Sequence, residues 1–466
     1  MNAPIDRPSR RDLLRAAANG FAMLPLAHLL RENGGLEGGA DGCPHHAPRA
    51  RNVIFLYMDG GPSTLDMFDY KPRLAQEDGK PFALPMEPTQ FQNNGNTLGP
   101  RWSFRQHGES GQWISDVLPH LATQADRLCV VRSMFADFSE HTNANYFLHT
   151  GHGLQGRPSM GAWVGYGLGS DNHNLPSFVV LNGGLIPPGG IDCFHSGFLP
   201  PETQGSVFRM SGDPLANIRA RELNRRLQRK KLDLVHALDD SALAHDGSCP
   251  ELEAAISNHE LAFAMQREVP ELVDLGGESP RLLAAYGVDD EYEHTRTFAR
   301  QCLLARRLVE RGVRFVELTC PNTGHDRWDQ HSRLEVGLED NCRTIDKPIA
   351  ALLADLEARG LLDETIVLFG GEFGRTPFAQ GTSGRDHNPF GYTMWLAGGG
   401  FRPGTSFGAT DEHGYKAAVD PVSIHDLHAT ILHQLGIDHE RLTFRFGGRD
   451  LRLTDVYGKV VTQLLA

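Results

Sequence analysis

Residues 52–58 read NVIFLYM and run directly into Asp59-Gly60-Gly61-Pro62-Ser63. A strand with one wet face alternates apolar and polar side chains, whereas this stretch carries no charged residue and no alternation. A continuous run suits a strand covered on both faces, and therefore a parallel sheet of the α/β kind. Leu128–Val131, Ser177–Leu181, Val313–Leu318, Thr365–Phe369 and Tyr392–Leu396 read as further strands. Helical patterns lie between them. Arg296–Arg311 is amphipathic and closes on Gly312, Leu334–Arg359 supports one long or two short helices ended by Gly360, and Ile424–Leu435 is the last strong helix. The alternation predicts a three-layer α/β/α, doubly wound, mostly parallel sheet over residues 51–466. Residues 200–290, helical and charged, are expected to form an insertion or cap.

The 466 residues are 40% hydrophobic and 22% charged, values of a soluble globular chain without low-complexity tracts. A net charge of −13 argues against nucleic acid as the partner, since phosphate-backbone binding needs basic surface. An anionic substrate stays open, because a metal ion supplies positive charge locally. Seven cysteines form no Cys-x-x-Cys pair, so a thiolate zinc cluster is not expected; they read as buried small residues with at most one incidental disulfide. At the N-terminus, Ser9-Arg10-Arg11-Asp12-Leu13-Leu14-Arg15 has the twin-arginine export form. The apolar stretch after it is too short for a stable membrane span. Residues 1–32 are expected to be the export segment and 33–50 a Gly-rich linker, the plainer alternative being an amphipathic N-terminal helix.

Ligands of an open parallel sheet bind beyond the carboxyl ends of its strands. Asp59 follows the first strand. His325, Asp326, Asp329 and His331 follow Val313–Leu318, Glu372 and Arg375 follow Thr365–Phe369, and Asp386-His387 stand on what reads as a tight loop before Tyr392. Carboxylates and imidazoles thus collect on one edge. Each has a plainer reading. Asp59 and Asp386 also suit turns, Asp329 and His331 suit a solvated loop, and His387 suits the surface. Ser63 fits a helix N-cap better than a nucleophile, and His425, His428 and His433 suit a helix surface or a supporting role. Arg375 either holds an oxyanion or pairs with Glu372. Oxygen and nitrogen donors without thiolates favour zinc, manganese or iron, alone or in a pair that includes calcium or magnesium. Asp59, Asp329, His331, Glu372, Asp386 and His387 would suffice for one or two ions, and such a site serves phosphoryl or sulfuryl transfer.

Seven stretches together resemble the domain of unknown function 1501 family, abundant in planctomycete-type bacteria and often carrying a twin-arginine signal. They are MDGGPSTLDMFD, GRPSMGAWVGYGLGS, CLLARRLVERGVRFVEL, WDQH, GGEFGRTP, GRDHNPFGYTMWLAGGG and VSIHDLHATILHQLGIDHERLTFRFGGRDLRLTDVYG. That family is similar to a branch of the alkaline phosphatase and sulfatase superfamily. The resemblance implies an alkaline phosphatase-like fold with a metal site at the sheet edge. Asp59 matches the first-strand ligand, Glu372 a carboxylate ligand, His387 the last histidine, and Asp329 with His331 the ligands of the other ion. Phe373 stands where a histidine is usual. In the superfamily a Ser, Thr or formylglycine-forming Cys opens a helix that ends in Thr-Gly. Here EHTNANYFLHTG aligns through Thr150-Gly151 and brings His141 to that position, with Thr142 beside it. His141 is alternatively a further metal ligand, with water as the attacking group. Cys-x-Pro-Ser-Arg is absent from the sequence, so a formylglycine sulfatase is not expected. The implied activity is metal-dependent hydrolysis of a phosphate or sulfate ester, on a small molecule, carbohydrate or lipid, by an exported protein. The alternative is a non-catalytic binding protein with at most a structural metal; a transferase or mutase on the same scaffold is a third reading.

Overall fold

The computed structural model describes residues 43–466 apart from 89–90, 217, 221 and 247–249. The twin-arginine segment, most of the linker and Cys249 lie outside the described residues. The first run forms strand β1 (Asn52–Tyr57), buried at every position. Its side chains divide between two cores: Val53, Phe55 and Tyr57 enter one, Ile54 and Leu56 the other. That division is why the sequence shows no alternation. Each fully buried aliphatic or aromatic side chain on either face contributes about 1.5–3 kcal/mol.

Along the chain follow β2 (Leu128–Phe135), β3 (Phe178–Asn182), β4 (Ser206–Arg209), β5 (Phe315–Leu318), β6 (Thr365–Gly370), β7 (Gly374–Gln380), β8 (Gly384–Asn388), β9 (Tyr392–Ala397), β10 (Thr405–Phe407) and β11 (Val422–Ser423). The main sheet runs β10-β2-β9-β6-β1-β5-β3-β4, with β11 paired to β2. β9 alone in it is antiparallel to its neighbours, β6 and β2. Its reversal comes from β7 and β8, an antiparallel pair outside the main sheet that turns the chain without a crossover helix. The tight loop expected at Asp386-His387 is therefore strand β8, in register with β7 through Arg375 and His387. Because β9 runs backwards, residues that precede it lie on the same edge as residues that follow β1, β5 and β6.

Helices α1 (His141–Thr150), α2 (Met160–Leu168), α3 (Arg225–Asp246), α4 (Pro250–Val273), α5 (Glu293–Glu310), α6 (Leu334–Ala358) and α7 (Ile424–Gln434) complete the layers. α1, α2 and α7 supply one core, while α5 and α6 supply the other. α6 is a single helix that runs through Pro348. Within residues 200–290, β4 extends the sheet beside β3 and α4 places Met265, Val269 and Leu272 in the core. Among the described residues no helix is long and apolar enough to cross a membrane. Cys129, Cys193, Cys302, Cys320 and Cys342 are buried and unbridged, so the disulfide allowed for above does not form among them.

Two buried histidines of α7 fix the position of α1. His425 and His428 each bring Nε2 within 2.8 Å of a carbonyl at the carboxyl end of α1, those of Gly151 and Leu148. They are interior braces rather than surface residues. Inside the sheet, His149 Nε2 meets Glu317 Oε1 at 2.8 Å with both side chains 2% exposed.

Candidate metal centre

Four side chains from three distant segments meet at the carboxyl edge of the sheet. His141 opens α1, Asp329 and His331 come from the loop after β5, and His387 projects from β8. One donor atom from each lies within 4.8 Å of the others. Asp329 is the hub. Its Oδ1 is 2.8 Å from His331 Nε2 and 3.2 Å from His387 Nε2, and its Oδ2 is 3.1 Å from His141 Nε2. Two glycines permit this convergence. Gly60 has φ +110°, and a Cβ there would lie 2.8 Å from the Trp328 nitrogen and 2.9 Å from that of Asp329. A Cβ on Gly384 would lie 2.0 Å from the His331 carbonyl oxygen.

Each histidine is held from behind at Nδ1. His141 Nδ1 donates to Glu372 Oε1 at 2.6 Å, His387 Nδ1 to the Ser139 carbonyl at 2.6 Å, and His331 Nδ1 to the Gln380 side-chain oxygen. All three partners are acceptors, so the Nδ1 proton is fixed and, in the neutral ring, Nε2 is left with its lone pair. The Nε2 atoms of His331 and His387 stand 3.0 Å apart. His141 Nε2 is a buried atom outside hydrogen-bond geometry to any group. Three imidazole nitrogens and one carboxylate directed at one point fit a divalent cation, and histidines oriented by a protein acceptor behind them are the usual mark of metal ligands.

The electrostatics of Asp329 and His387 agree with that reading, while His141 has a proton to give up before it can bind. Burial opposes charge on Asp329, but the Arg375 guanidinium and the three imidazoles hold it well below the usual carboxylate range. His387 is pushed down to about 4, by burial first and then by Arg375 and His141, against its contact with Asp329. It is therefore neutral at neutral pH, as a ligand must be. Burial also opposes charge on His141, yet its contacts with Asp329 and Glu372 outweigh this and raise it to about 9.

The other expected site residues surround this cluster in different ways. Glu372 is wholly buried; it holds His141 and accepts the Gly60 N–H at 3.0 Å. Asp59 is pushed up to about 7 by burial and by Glu372, with Arg327 opposing. Arg327 Nε contacts Asp59 Oδ2 at 2.5 Å, so that carboxylate oxygen is already paired with a guanidinium. Asp386 stands outside the cluster. Neighbours on a strand face opposite ways, so it cannot join His387; its Oδ1 accepts the His387 N–H at 2.8 Å and its Oδ2 is buried without a hydrogen-bond partner. Arg375 is wholly buried. It donates to the carbonyls of Gly60, Gly61 and Arg385 and to Asp329, rather than to Glu372 or an incoming oxyanion. Thr142 follows His141 in the first turn of α1, beside the N-cap Glu140, whose carboxylate accepts the Asn143 N–H. Ser63 Oγ donates to Asp66 Oδ2 at 2.6 Å, and His325 pairs with Asp340 at 2.6 Å, outside the centre.

Several participants carry little signal in the sequence. Gln380 is one polar residue in the strand β7. Arg327 is an isolated cation in the acidic stretch HDRWDQH. Phe91, half exposed, sets its ring edge-on against His331 at 4.8 Å between centroids. Phe373 lays its ring 4.5 Å from that of His387 and 5.0 Å from that of His141, an apolar wall where the superfamily pattern has a histidine.

A family model described as a protein of unknown function, DUF1501, matches residues 50–465, and the chain belongs to that family. A search of curated protein sequences finds no match. Among solved structures, the lipoteichoic acid synthase LtaP from Listeria monocytogenes is 10% identical, with 89% of this chain and 78% of that one covered at a TM-score of 0.40. The PsFucS1 sulfatase from Pseudoalteromonas sp. is 13% identical, with 96% and 75% covered at 0.38. The alkaline phosphatase from the Antarctic bacterium TAB5 is 9% identical, with 83% and 98% covered at 0.33.

Proposed function

We propose that this member of the DUF1501 family is a metal-dependent hydrolase of phosphate or sulfate esters, with its reaction centred on His141, Asp329, His331 and His387. One observation carries the reading: three histidines anchored at Nδ1 direct Nε2 at a single, partly buried carboxylate. A divalent cation held there supplies Lewis-acid polarisation of an anionic ester oxygen and lowers the pKa of a nearby water molecule. Zinc or manganese suits the mixed imidazole and carboxylate donors. The side chains supply the rest. Arg375 fixes the Asp329 carboxylate from the interior, and Glu372 fixes the His141 ring. Asp59, raised to about 7, is suited to take up or release a proton near neutral pH. The group at the head of α1 is the His141 imidazole, turned onto Asp329 and Glu372, rather than a hydroxyl. That supports water rather than a side chain as the attacking group.

The imidazole at that position favours the second reading, a binding protein that holds a metal without turnover. Export by the twin-arginine route belongs to the proposal and rests on Ser9–Arg15. The test is elemental mass spectrometry on protein purified without chelator or nickel, followed by a screen of phosphate and sulfate monoesters. About one equivalent of a transition metal, lost in His387→Ala together with turnover, is the expected result. Metal without turnover selects the binding protein. Protein that neither carries nor takes up a metal refutes both.

A further inference from the structure

A second cavity opens on the same edge of the sheet, of about 550 Å³, beyond the carboxyl ends of β3, β4 and β5. Its wall contains Arg209 from the end of β4, with His294, Arg296 and Arg300 from the first turns of α5. Gly183 and Gly184 bring bare backbone to the opposite side. In a chain with a net charge of −13, three guanidinium groups against the single carboxylate Glu293 are a local reversal of sign. Two of the three are also uncommitted. Among the described residues, Arg209 and Arg300 have neither an ion pair nor a side-chain hydrogen bond, whereas Arg296 donates to the carbonyls of Asp290 and Glu291 at 2.8 and 2.9 Å. Exposed arginines in an acidic protein readily find carboxylates. Two left open in one cavity present forked donors of the shape that fits an oxyanion.

The cavity is joined to the metal centre by two loops. Pro321 and Asn322 line it and begin the segment that ends in Asp329 and His331. Gly183 and Gly184 begin the loop whose Ile186 carbonyl accepts Arg327 at 3.0 Å, and Arg327 in turn holds Asp59. We propose that this cavity binds a second oxyanion of the substrate, a sulfate or phosphate group on the part that does not react, so that the substrate is multiply charged. The assignment of that anion to a substrate rests on the hydrolase reading above; the anion site itself does not. Two open guanidinium groups making charge-assisted hydrogen bonds would account for most of the affinity.

Calorimetric titration of the full chain with a trisulfated heparin disaccharide tests it, with the unsulfated disaccharide and sodium sulfate as comparisons. The expected result is binding of the sulfated disaccharide alone among the two sugars. That binding should weaken by about tenfold or more in Arg209→Ala/Arg300→Ala and be kept in Asp329→Asn. Circular dichroism and melting of the double variant should match the parent, because both arginines are exposed. Failure of the parent chain to bind, or equal affinity in the double variant, overturns the proposal. Loss in Asp329→Asn alone also overturns it, by assigning the sugar to the metal centre, and leaves the hydrolase reading intact. Sodium sulfate binding as tightly as the disaccharide overturns the link to a substrate and makes the cavity a site for free anion.

Discussion

Gly60→Ala separates the cost of a glycine conformation from the cost of a close approach. Gly60 has φ +110°, and an added Cβ would meet the backbone nitrogens of Trp328 and Asp329 at 2.8 and 2.9 Å. Holding alanine in a left-handed or sparsely populated region costs about 1–3 kcal/mol. Forcing a methyl group against two backbone atoms adds about 1–3 kcal/mol, so the whole is about 2–6 kcal/mol if nothing moves. Gly156 supplies the matched control, with φ +101° and nothing within 4 Å of its Cβ position. Gly156→Ala should therefore lose only the conformational part. The strain at position 60 has one outlet, displacement of the 327–329 segment, and that segment carries Asp329. Urea unfolding in chelator should show Gly60→Ala less stable than Gly156→Ala by about 1–3 kcal/mol. Where the loop yields instead, the stability difference shrinks and metal affinity, read by competition with a chromogenic chelator, falls in its place. A Gly60→Ala protein that matches Gly156→Ala in stability and the parent in metal affinity would refute the reasoning.

Glu372→Gln weakens the acceptor behind His141 without touching the ion, and metal affinity should fall by about 10- to 100-fold in the same competition assay; unchanged affinity would remove Glu372 from the centre. With His141 raised to about 9, the ring is protonated at pH 7–8 and must give up its Nε2 proton to bind a cation. Metal uptake should release about one proton from His141, affinity should climb with pH until about 9 and level off above it, and calorimetry in two buffers of different ionisation enthalpy reads the proton directly. Heats independent of buffer between pH 7 and 8 would contradict the His141 assignment. His149→Leu leaves Glu317 buried without its cation and should lose about 3–5 kcal/mol in urea unfolding, most of it recovered in His149→Leu/Glu317→Leu. A loss below about 1 kcal/mol would mean the pair is carried uncharged.

The sheet was readable because burial on both faces removes alternation, and β1 shows this at every position. The six apolar runs each coincide with an observed strand. The direction of β9 was not readable, because nothing in Tyr392–Ala397 distinguishes a strand reached by crossover from one reached by reversal. That direction belongs to the β7–β8 pair, of which the polar stretch at Asp386-His387 reads as a loop. The residues read as site candidates nonetheless share one edge, since loops after parallel strands and the segment before an antiparallel one meet there. At the level of side chains the resolution was lower. Asp386 and His387 sit next to each other in sequence and face apart because they lie on a strand. Arg375, for which the sequence offers an oxyanion or Glu372 as partner, is buried and donates to Asp329 instead. Gln380 and the Ser139 carbonyl could not have been found without the fold, because a backbone oxygen and a lone glutamine leave no pattern.

The anchoring of each histidine from behind has a consequence for the order of events. Glu372, Gln380 and the Ser139 carbonyl hold the rings in place through protein contacts alone. Their partners lie as far as 248 residues away along the chain, so the cluster exists only after the fold is complete. Loading of a cation would then be a late event on a finished scaffold, with little chain entropy left to lose and little structural change to discriminate one ion from another. Between cations of similar size the choice passes to supply. The metal recovered with the protein would therefore report the ion pool of the place where the chain folded.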